Sequence, residues 1–170
     1  ECVTSSNANY VIQQMIELNY GLQEFIVVEL IKPANLVAKH RYGCRVICRL
    51  IESGLFTLLY PLVKVLLANW RSIETLIQSE FGIHVVKSIL KFGDSMWKAS
   101  IVIFMTSKNQ QSIVGNRNMK EVATLILQTK GMPHRQELAV HITHMNRYVR
   151  QSDDVFDDII DDIIVNIKIA

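Results

Sequence analysis

Apolar residues recur along this chain at helical spacing, and the alternation that strands show is rare. The helical stretches are separated by breaks such as Pro33, Ser53-Gly54 and Lys130-Gly131. Spacing of i, i+3, i+4 and i+7 predicts amphipathic helices, and Gly, Pro and Ser clusters predict where they end. The predicted helices cover residues 8–20, 22–32, a short segment to 40, 42–52, 55–70, 71–80, 81–92, 96–108, 110–114, 116–129 and 134–146. The pattern therefore predicts an all-α protein.

A five-residue motif recurs within these helices. Its four copies begin at residues 9, 44, 83 and 116, separated by 35, 39 and 33 positions. They are Asn9-Tyr10-Val11-Ile12-Gln13, Cys44-Arg45-Val46-Ile47-Cys48, Ile83-His84-Val85-Val86-Lys87 and Asn116-Arg117-Asn118-Met119-Lys120. Repetition at this period within helical patterning predicts an α-solenoid, whose units bury their apolar sides against one another and leave one long face free. The predicted units are residues 5–40, 41–80, 81–114 and 115–152.

The motif has the residue types that contact an unstacked base. On a helix, its first, second and fifth positions are expected to project toward one exposed strip, with the third and fourth turned inward. The second position has a planar side chain in all four copies: Tyr10, Arg45, His84 and Arg117. Stacking of such a group on a base is worth roughly 1–3 kcal/mol. Asn9 and Gln13 can offer donors and acceptors to a base edge.

The motif resembles the Pumilio (PUF) repeat, in which two residues, two apolar spacers and a third polar residue occupy the middle helix. The first copy matches that pattern in full, and the second departs from it at Cys48, where the family usually has Gln. The third keeps His84 but loses both edge positions, and the fourth keeps only Gly115, Arg117 and the general spacing. The resemblance covers about residues 5–130. Because a family domain usually has eight repeats, we expect this chain to be about half of one and part of a longer protein.

The resemblance implies a right-handed α-solenoid of three-helix Pumilio-type repeats over residues 1–152. It implies single-stranded RNA as partner, one base per repeat, antiparallel to the chain, in post-transcriptional control of mRNA. Asn9 with Gln13 would recognise uracil around Tyr10, whereas Cys48 in place of Gln removes one polar contact from the second repeat. Lys87 and Lys120 fit no base code and would bind phosphate. The predicted RNA-binding residues are Asn9, Tyr10, Gln13, Cys44, Arg45, Cys48, His84, Lys87, Asn116, Arg117 and Lys120.

Charge divides the chain into a basic body and an acidic end. Residues 1–152 hold 17 Lys and Arg against 10 Asp and Glu, whereas residues 153–170 hold one Lys and six Asp. The basic body favours an anionic partner, with Arg41, Arg49 and Lys91 extending the basic strip. The acidic end has an apolar stripe at helical spacing from Phe156 to Ile167, which predicts an amphipathic C-terminal capping helix.

Two other functions stay open from the sequence. Loss of the edge residues in the later repeats is typical of a scaffold, or of a subunit of a large assembly that binds other proteins on its outer face. A basic repeat array could also bind structured RNA by charge, without base selectivity. A titration across salt concentrations would separate these alternatives.

The sequence favours no enzymatic role and no cofactor. It has no Gly-rich phosphate loop, nucleophile elbow or supported acid–base pair. Cys44 and Cys48 are four residues apart, but His40 is expected beyond a helix break, so no metal site is predicted. Three Cys form no disulfide framework, which favours a reducing compartment, and we expect the cytoplasm, with nucleolus or organelle open. The apolar run Leu55–Leu67 is too short to span a bilayer.

Overall fold

The structure, a computed structural model, describes residues 2–18, 20–109, 112–113 and 115–146. All regular secondary structure in these residues is helical, which confirms the all-α prediction. A 3-10 turn over Cys2–Thr4 precedes helices α1 (Ala8–Leu18), α2 (Tyr20–Ile31), α3 (Ala34–Ala38), α4 (Gly43–Glu52), α5 (Phe56–Leu66), α6 (Trp70–Gln78), α7 (Gly82–Phe92), α8 (Ser95–Thr106), α9 (Arg117–Gln128) and α10 (Arg135–Asn146). The predicted capping helix over 153–170 lies outside the described residues.

The described residues form two compact units, which divide between Trp97 and Lys98 within α8. In the first unit, equivalent helices of successive repeats pack against each other. Helix α4 packs between α1 and α7, α2 packs against α5, and α3 packs against α6. This nearest-neighbour stacking is the arrangement that a three-helix repeat predicts.

Paired apolar residues on α4 and α7 form much of the core of the first unit. Val46 and Leu50 of α4 are fully buried, as are the residues that follow them. Burial of each such side chain stabilises the fold by about 1.5–3 kcal/mol. Their counterparts on α1, Val11 and Met15, are 56% and 36% exposed. The difference arises because α4 packs between two long helices, whereas α1 packs against α4, α2 and the short Cys2–Thr4 turn.

Two glycines fix where α4 and α7 begin. A Cβ atom at Gly43 would lie 2.6 Å from the carbonyl oxygen of Val37, and one at Gly82 would lie 2.6 Å from that of Leu76. Only Gly allows so close an approach by the preceding short helix. The Nδ1 atom of His40 also accepts hydrogen bonds from the backbone N–H groups of Tyr42 and Gly43, at 3.2 and 3.3 Å. His40 therefore stabilises the start of α4.

The second unit buries its own apolar core. Val122 and Ile126 of α9 are fully buried, as is Leu138 of α10, which packs against α9. His141 Nε2 lies 2.7 Å from the carbonyl oxygen of Lys108. The side chain of His141 therefore makes a polar contact with the backbone of the same unit. Among the described residues, no helix combines the length and apolar character needed to cross a bilayer.

Candidate RNA interface

A concave groove of about 870 Å³ lies along α1, α4 and α7 in the first unit. It brings together five of the predicted RNA-binding residues: Gln13, Cys44, Arg45, Cys48 and His84. Its remaining lining residues are Arg41, Arg49, Glu52, Glu80 and Phe81. The polar sides of the three stacked helices are therefore open to a ligand that runs across them.

Three of these groove residues, Glu52, Glu80 and Phe81, were not predicted from the sequence. Glu80-Phe81 precedes Gly82 as Arg41-Tyr42 precedes Gly43. The position two residues before each glycine therefore faces the groove in both repeats. That recurrence is a sequence signal that could have identified Glu80.

The second motif position is exposed on all three helices of the first unit. Tyr10 is 65% exposed, and Arg45 and His84 are also exposed. Each is the third residue of its helix, so the helix starts give the three side chains equivalent positions. Planar aromatic and guanidinium groups in such positions can stack on successive bases. The predicted outward orientation is confirmed, and the base contacts themselves stay a prediction.

The first motif position is buried, contrary to the prediction that it projects into the exposed strip. Asn9 and Cys44 are each 3% exposed, and Ile83 is 4% exposed. The reason is helical geometry, because each lies three residues before an inward apolar residue and so shares its side of the helix. The side-chain Nδ2 of Asn9 donates to the carbonyl oxygens of Ser5 and Ser6 at 2.7 and 2.8 Å. Its amide therefore stabilises the turn before α1.

Gln13, at the fifth motif position, lies in the groove with one side-chain atom hydrogen-bonded to Asn9. Its Nε2 donates to Asn9 Oδ1 at 3.0 Å, and it lines the groove. Its Oε1 has no hydrogen-bond partner among the described residues. The N3–H group of uracil needs an acceptor, and Gln13 Oε1 is one. Of the predicted Asn9–Gln13 pair, only Gln13 therefore lines the groove, and its contact with uracil stays a prediction.

The two groove thiols are neutral and only weakly polar. Burial raises the pKa of the Cys44 thiol, whose Sγ donates to the carbonyl oxygen of Arg41 at 3.5 Å. Burial also raises the pKa of Cys48 to about 12, with smaller effects from neighbouring Cys44 and Glu52. Protonated thiols are weak hydrogen-bond donors and poor metal ligands. Within the described ranges, no group of three His, Cys, Asp or Glu could hold a metal ion.

Three arginines spaced four residues apart give one side of the groove a basic character. Arg49 Nη1 pairs with Glu52 Oε2 at 3.0 Å. Its Nε lies 3.2 Å from Glu17 Oε1, an ionic contact that is too poorly aligned for a hydrogen bond. The guanidinium of Arg41 lies 5.6 Å from the centre of the Tyr42 ring. Arg45 has no ion-pair partner in the part of the chain that the structure describes, so its charge is available to an incoming anion.

The remaining predicted residues occupy other positions. Lys87, at the fifth motif position on α7, is half-buried and is not part of the groove lining. Asn116 precedes α9 as its N-cap, because its Oδ1 accepts hydrogen bonds from the N–H groups of Asn118 and Met119 at 3.0 and 3.1 Å. The helix predicted to begin at Asn116 therefore begins one residue later, and the predicted contact of Asn116 with RNA stays a prediction. Arg117 and half-buried Lys120 belong to the second unit, and their place in a common groove stays a prediction.

Comparison with known proteins finds relatives for part of the chain. A family model described as the Pumilio-family RNA binding repeat matches residues 4–31 and 35–67. Pumilio homolog 9 of Arabidopsis thaliana is 31% identical over 87 residues, which are 51% of this chain and 15% of that protein. The chain thus spans a small part of that curated relative.

Solved structures share the fold at low sequence identity. PUF-8 in complex with PBE-RNA matches with a TM-score of 0.75 and 17% identity, over 84% of this chain and 41% of that chain. The Puf3 RNA binding domain bound to a Cox17 RNA 3′ UTR recognition sequence (site B) matches with a TM-score of 0.73 and 21% identity, over 84% and 41%. The RNA-binding domain of yeast Puf5p bound to SMX2 RNA matches with a TM-score of 0.74 and 14% identity, over 86% of this chain and 42% of that chain. The predicted Pumilio-type fold is confirmed by these structures, and the match to the Pumilio-family repeat model covers residues 4–31 and 35–67.

Proposed function

We propose that this chain binds single-stranded RNA through its first three repeats, one base per repeat, with the RNA antiparallel to the chain. One observation carries the proposal: Tyr10, Arg45 and His84 are exposed at the same position of three helices that pack side by side. Stacking on such side chains tolerates any base, because every base has a π-face. The spacing of the repeats then supplies one stacking site per nucleotide.

Base selectivity is confined to the first repeat in this proposal. Gln13 Oε1 accepts a hydrogen bond from the N3–H group of uracil. The second repeat has no equivalent acceptor, because the weakly polar thiol of Cys48 occupies that position. The third repeat has Ile83 and Lys87 at the two edge positions, and the lysine adds affinity through phosphate. Because the RNA runs antiparallel, the selected uracil is the 3′-most of the three bases.

The RNA complexes of the structural relatives support this proposal. PUF-8, Puf3 and Puf5p are each in complex with RNA, and this chain shares their fold. The biological role that fits such binding is post-transcriptional control of mRNA, in the cytoplasm, through proteins recruited by the array.

Fluorescence anisotropy with short labelled RNAs tests the proposal. The change Arg45→Ala or His84→Ala is expected to weaken binding by about 5- to 150-fold, the equivalent of one lost stack. Arg71→Ala on α6, an exposed arginine outside the groove lining, is the matched control and is expected to leave binding unchanged.

Salt dependence separates base stacking from binding by charge. If affinity falls steeply with salt and neither groove variant differs from the Arg71 variant, the chain binds RNA by charge alone. No binding of the parent to any single-stranded RNA would overturn the proposal.

Exposed apolar residues favour protein binding as a second candidate function. Phe25 and Val28 lie one turn apart on α2 and are 66% and 59% exposed, and Leu36 on α3 is also exposed. Apolar residues exposed at helical spacing are typical of protein-contact surfaces. A scaffold of this kind predicts no RNA binding by the parent, so the same titration separates the two functions.

A further inference from the structure

Helix α9 has the same pattern of buried residues as α4 and α7. That pattern places its five-residue motif four positions later than the copy that begins at Asn116 in the sequence. Each helix has two buried apolar pairs one turn apart: Val46-Ile47 and Leu50-Ile51 on α4, Val85-Val86 and Ile89-Leu90 on α7, Val122-Ala123 and Ile126-Leu127 on α9. On α4 the residue just before the first pair is Arg45, and on α7 it is His84. On α9 the same place is taken by Glu121, which is exposed. The equivalent motif on α9 is therefore residues 120–124.

Three further features support this frame over the one that begins at Asn116. Asn118, the third position in the Asn116 frame, is a half-buried polar residue, whereas Val46 and Val85 are fully buried. On both α4 and α9, the second buried pair is followed directly by the last residue of the helix, which is Glu52 on α4 and Gln128 on α9. The distance from His84 to Glu121 is 37 positions, which lies between the two preceding spacings of 35 and 39.

We infer that Glu121, and not Arg117, holds the stacking position of the fourth repeat, so that this repeat stacks no base. The inference rests on the proposed function of the first three repeats. A carboxylate is negative, and it meets the electron-rich face of a base and the phosphates beside it unfavourably. Thr124, at the fifth position, donates its hydroxyl to the carbonyl oxygen of Lys120 at 2.9 Å and so has no proton left for a base edge. Base recognition then ends at the third repeat.

The test compares two RNAs that differ by a single base. One has four consecutive uridines, and the other has an abasic ribose in place of the 5′-most of the four. Both carry abasic riboses at each end, so their phosphate charges are equal. The parent is expected to bind both within about twofold, because the fourth repeat adds no stack.

Substitutions at both candidate positions decide the frame. Glu121→Arg should make the four-uridine RNA bind about tenfold more tightly than the three-uridine RNA, as one added stack requires. Glu121→Gln removes the charge without supplying a planar cation and should give a smaller gain. Arg117→Ala should leave the ratio between the two RNAs at the parent value. Thermal unfolding of each variant verifies that the fold is retained.

Each contrary result has a distinct meaning. If the parent already prefers four uridines and Arg117→Ala abolishes that preference, Arg117 is the stacking residue and the inference is wrong. If Glu121→Arg gains nothing from the fourth base, the inference is also wrong, while the first three repeats are unaffected. If the parent binds neither RNA, the proposed function itself fails, and this inference fails with it.

Discussion

Gln13 donates its side-chain Nε2 to Oδ1 of Asn9 at 3.0 Å, which directs the amide of Gln13 along α1. Asn9 is itself held by the carbonyl oxygens of Ser5 and Ser6. Hydrogen bonds through these two residues therefore connect the turn before α1 with the groove. Asn9 thus orients Gln13, which lines the groove.

Gln13→Ala is expected to reduce the preference for uracil over other bases at the 3′ position by about 1–3 kcal/mol, the usual worth of a specific base contact. Gln14→Ala is the matched control, because Gln14 is the neighbouring glutamine and does not line the groove. Anisotropy titrations with RNAs that differ at that base measure the effect. Equal preference in the parent and the Gln13 variant would exclude Gln13 as the selective residue.

Much of the interface could be predicted because helical periodicity alone determines it. The exposed second positions follow from apolar residues three and four apart, and the breaks at Ser53 and Gly93 end α4 and α7 where expected. The role of Asn9 could not be predicted in this way. It depends on how the turn over Ser5 and Ser6 presents its carbonyl oxygens, and no spacing rule specifies that geometry.

The position of the fourth motif could not be predicted from the sequence, for a different reason. A shift of four residues rotates a helix position by only about 40°, so Arg117 and Glu121 fit the same periodic pattern almost equally well. The Gly115-Asn116 pair resembles the starts of the other motifs in sequence. In the structure, the half-burial of Asn118 and the end of α9 directly after the buried pair Ile126-Leu127 distinguish the two frames.

Gln23 links α1 and α2 from a fully buried position. Its Nε2 donates to the carbonyl oxygen of Ile16 at 2.7 Å, which satisfies a carbonyl at the end of α1. Gln23→Ala should lower the free energy of unfolding by about 1–3 kcal/mol, the cost of a buried acceptor left without its donor. Urea denaturation measures this, with Gln78→Ala on the exposed end of α6 as control. Equal stability of both variants would show that this bond contributes nothing.

Cys48 is expected to make stability depend on pH in the alkaline range. Burial raises the pKa of its thiol from 9.0 to about 12. The folded state thus holds this proton more tightly, so the stabilisation is complete below pH 9 and is lost as the pH rises toward 12. Between pH 8 and pH 10 the parent should lose on the order of 1 kcal/mol more than Cys48→Ala. Urea denaturation at both pH values provides the measurement, and parallel losses would contradict it.

Leu50 and Met15 occupy the same position on successive stacked helices, yet Leu50 is fully buried and Met15 is 36% exposed. Leu50→Ala leaves a cavity between α1 and α7 and should lower the free energy of unfolding by about 2–5 kcal/mol. Met15→Ala removes side-chain atoms that already contact solvent and should cost about 1 kcal/mol or less.

Urea denaturation of the two variants compares them directly, because both shorten a long apolar side chain to Ala at equivalent positions. A loss in the Met15 variant as large as that in the Leu50 variant would mean that the exposed side of α1 is covered in solution. On α4 and α7 the corresponding side is buried by the stacking of neighbouring helices. Such a result would therefore indicate that another element packs on the exposed side of α1, as α1 packs on α4.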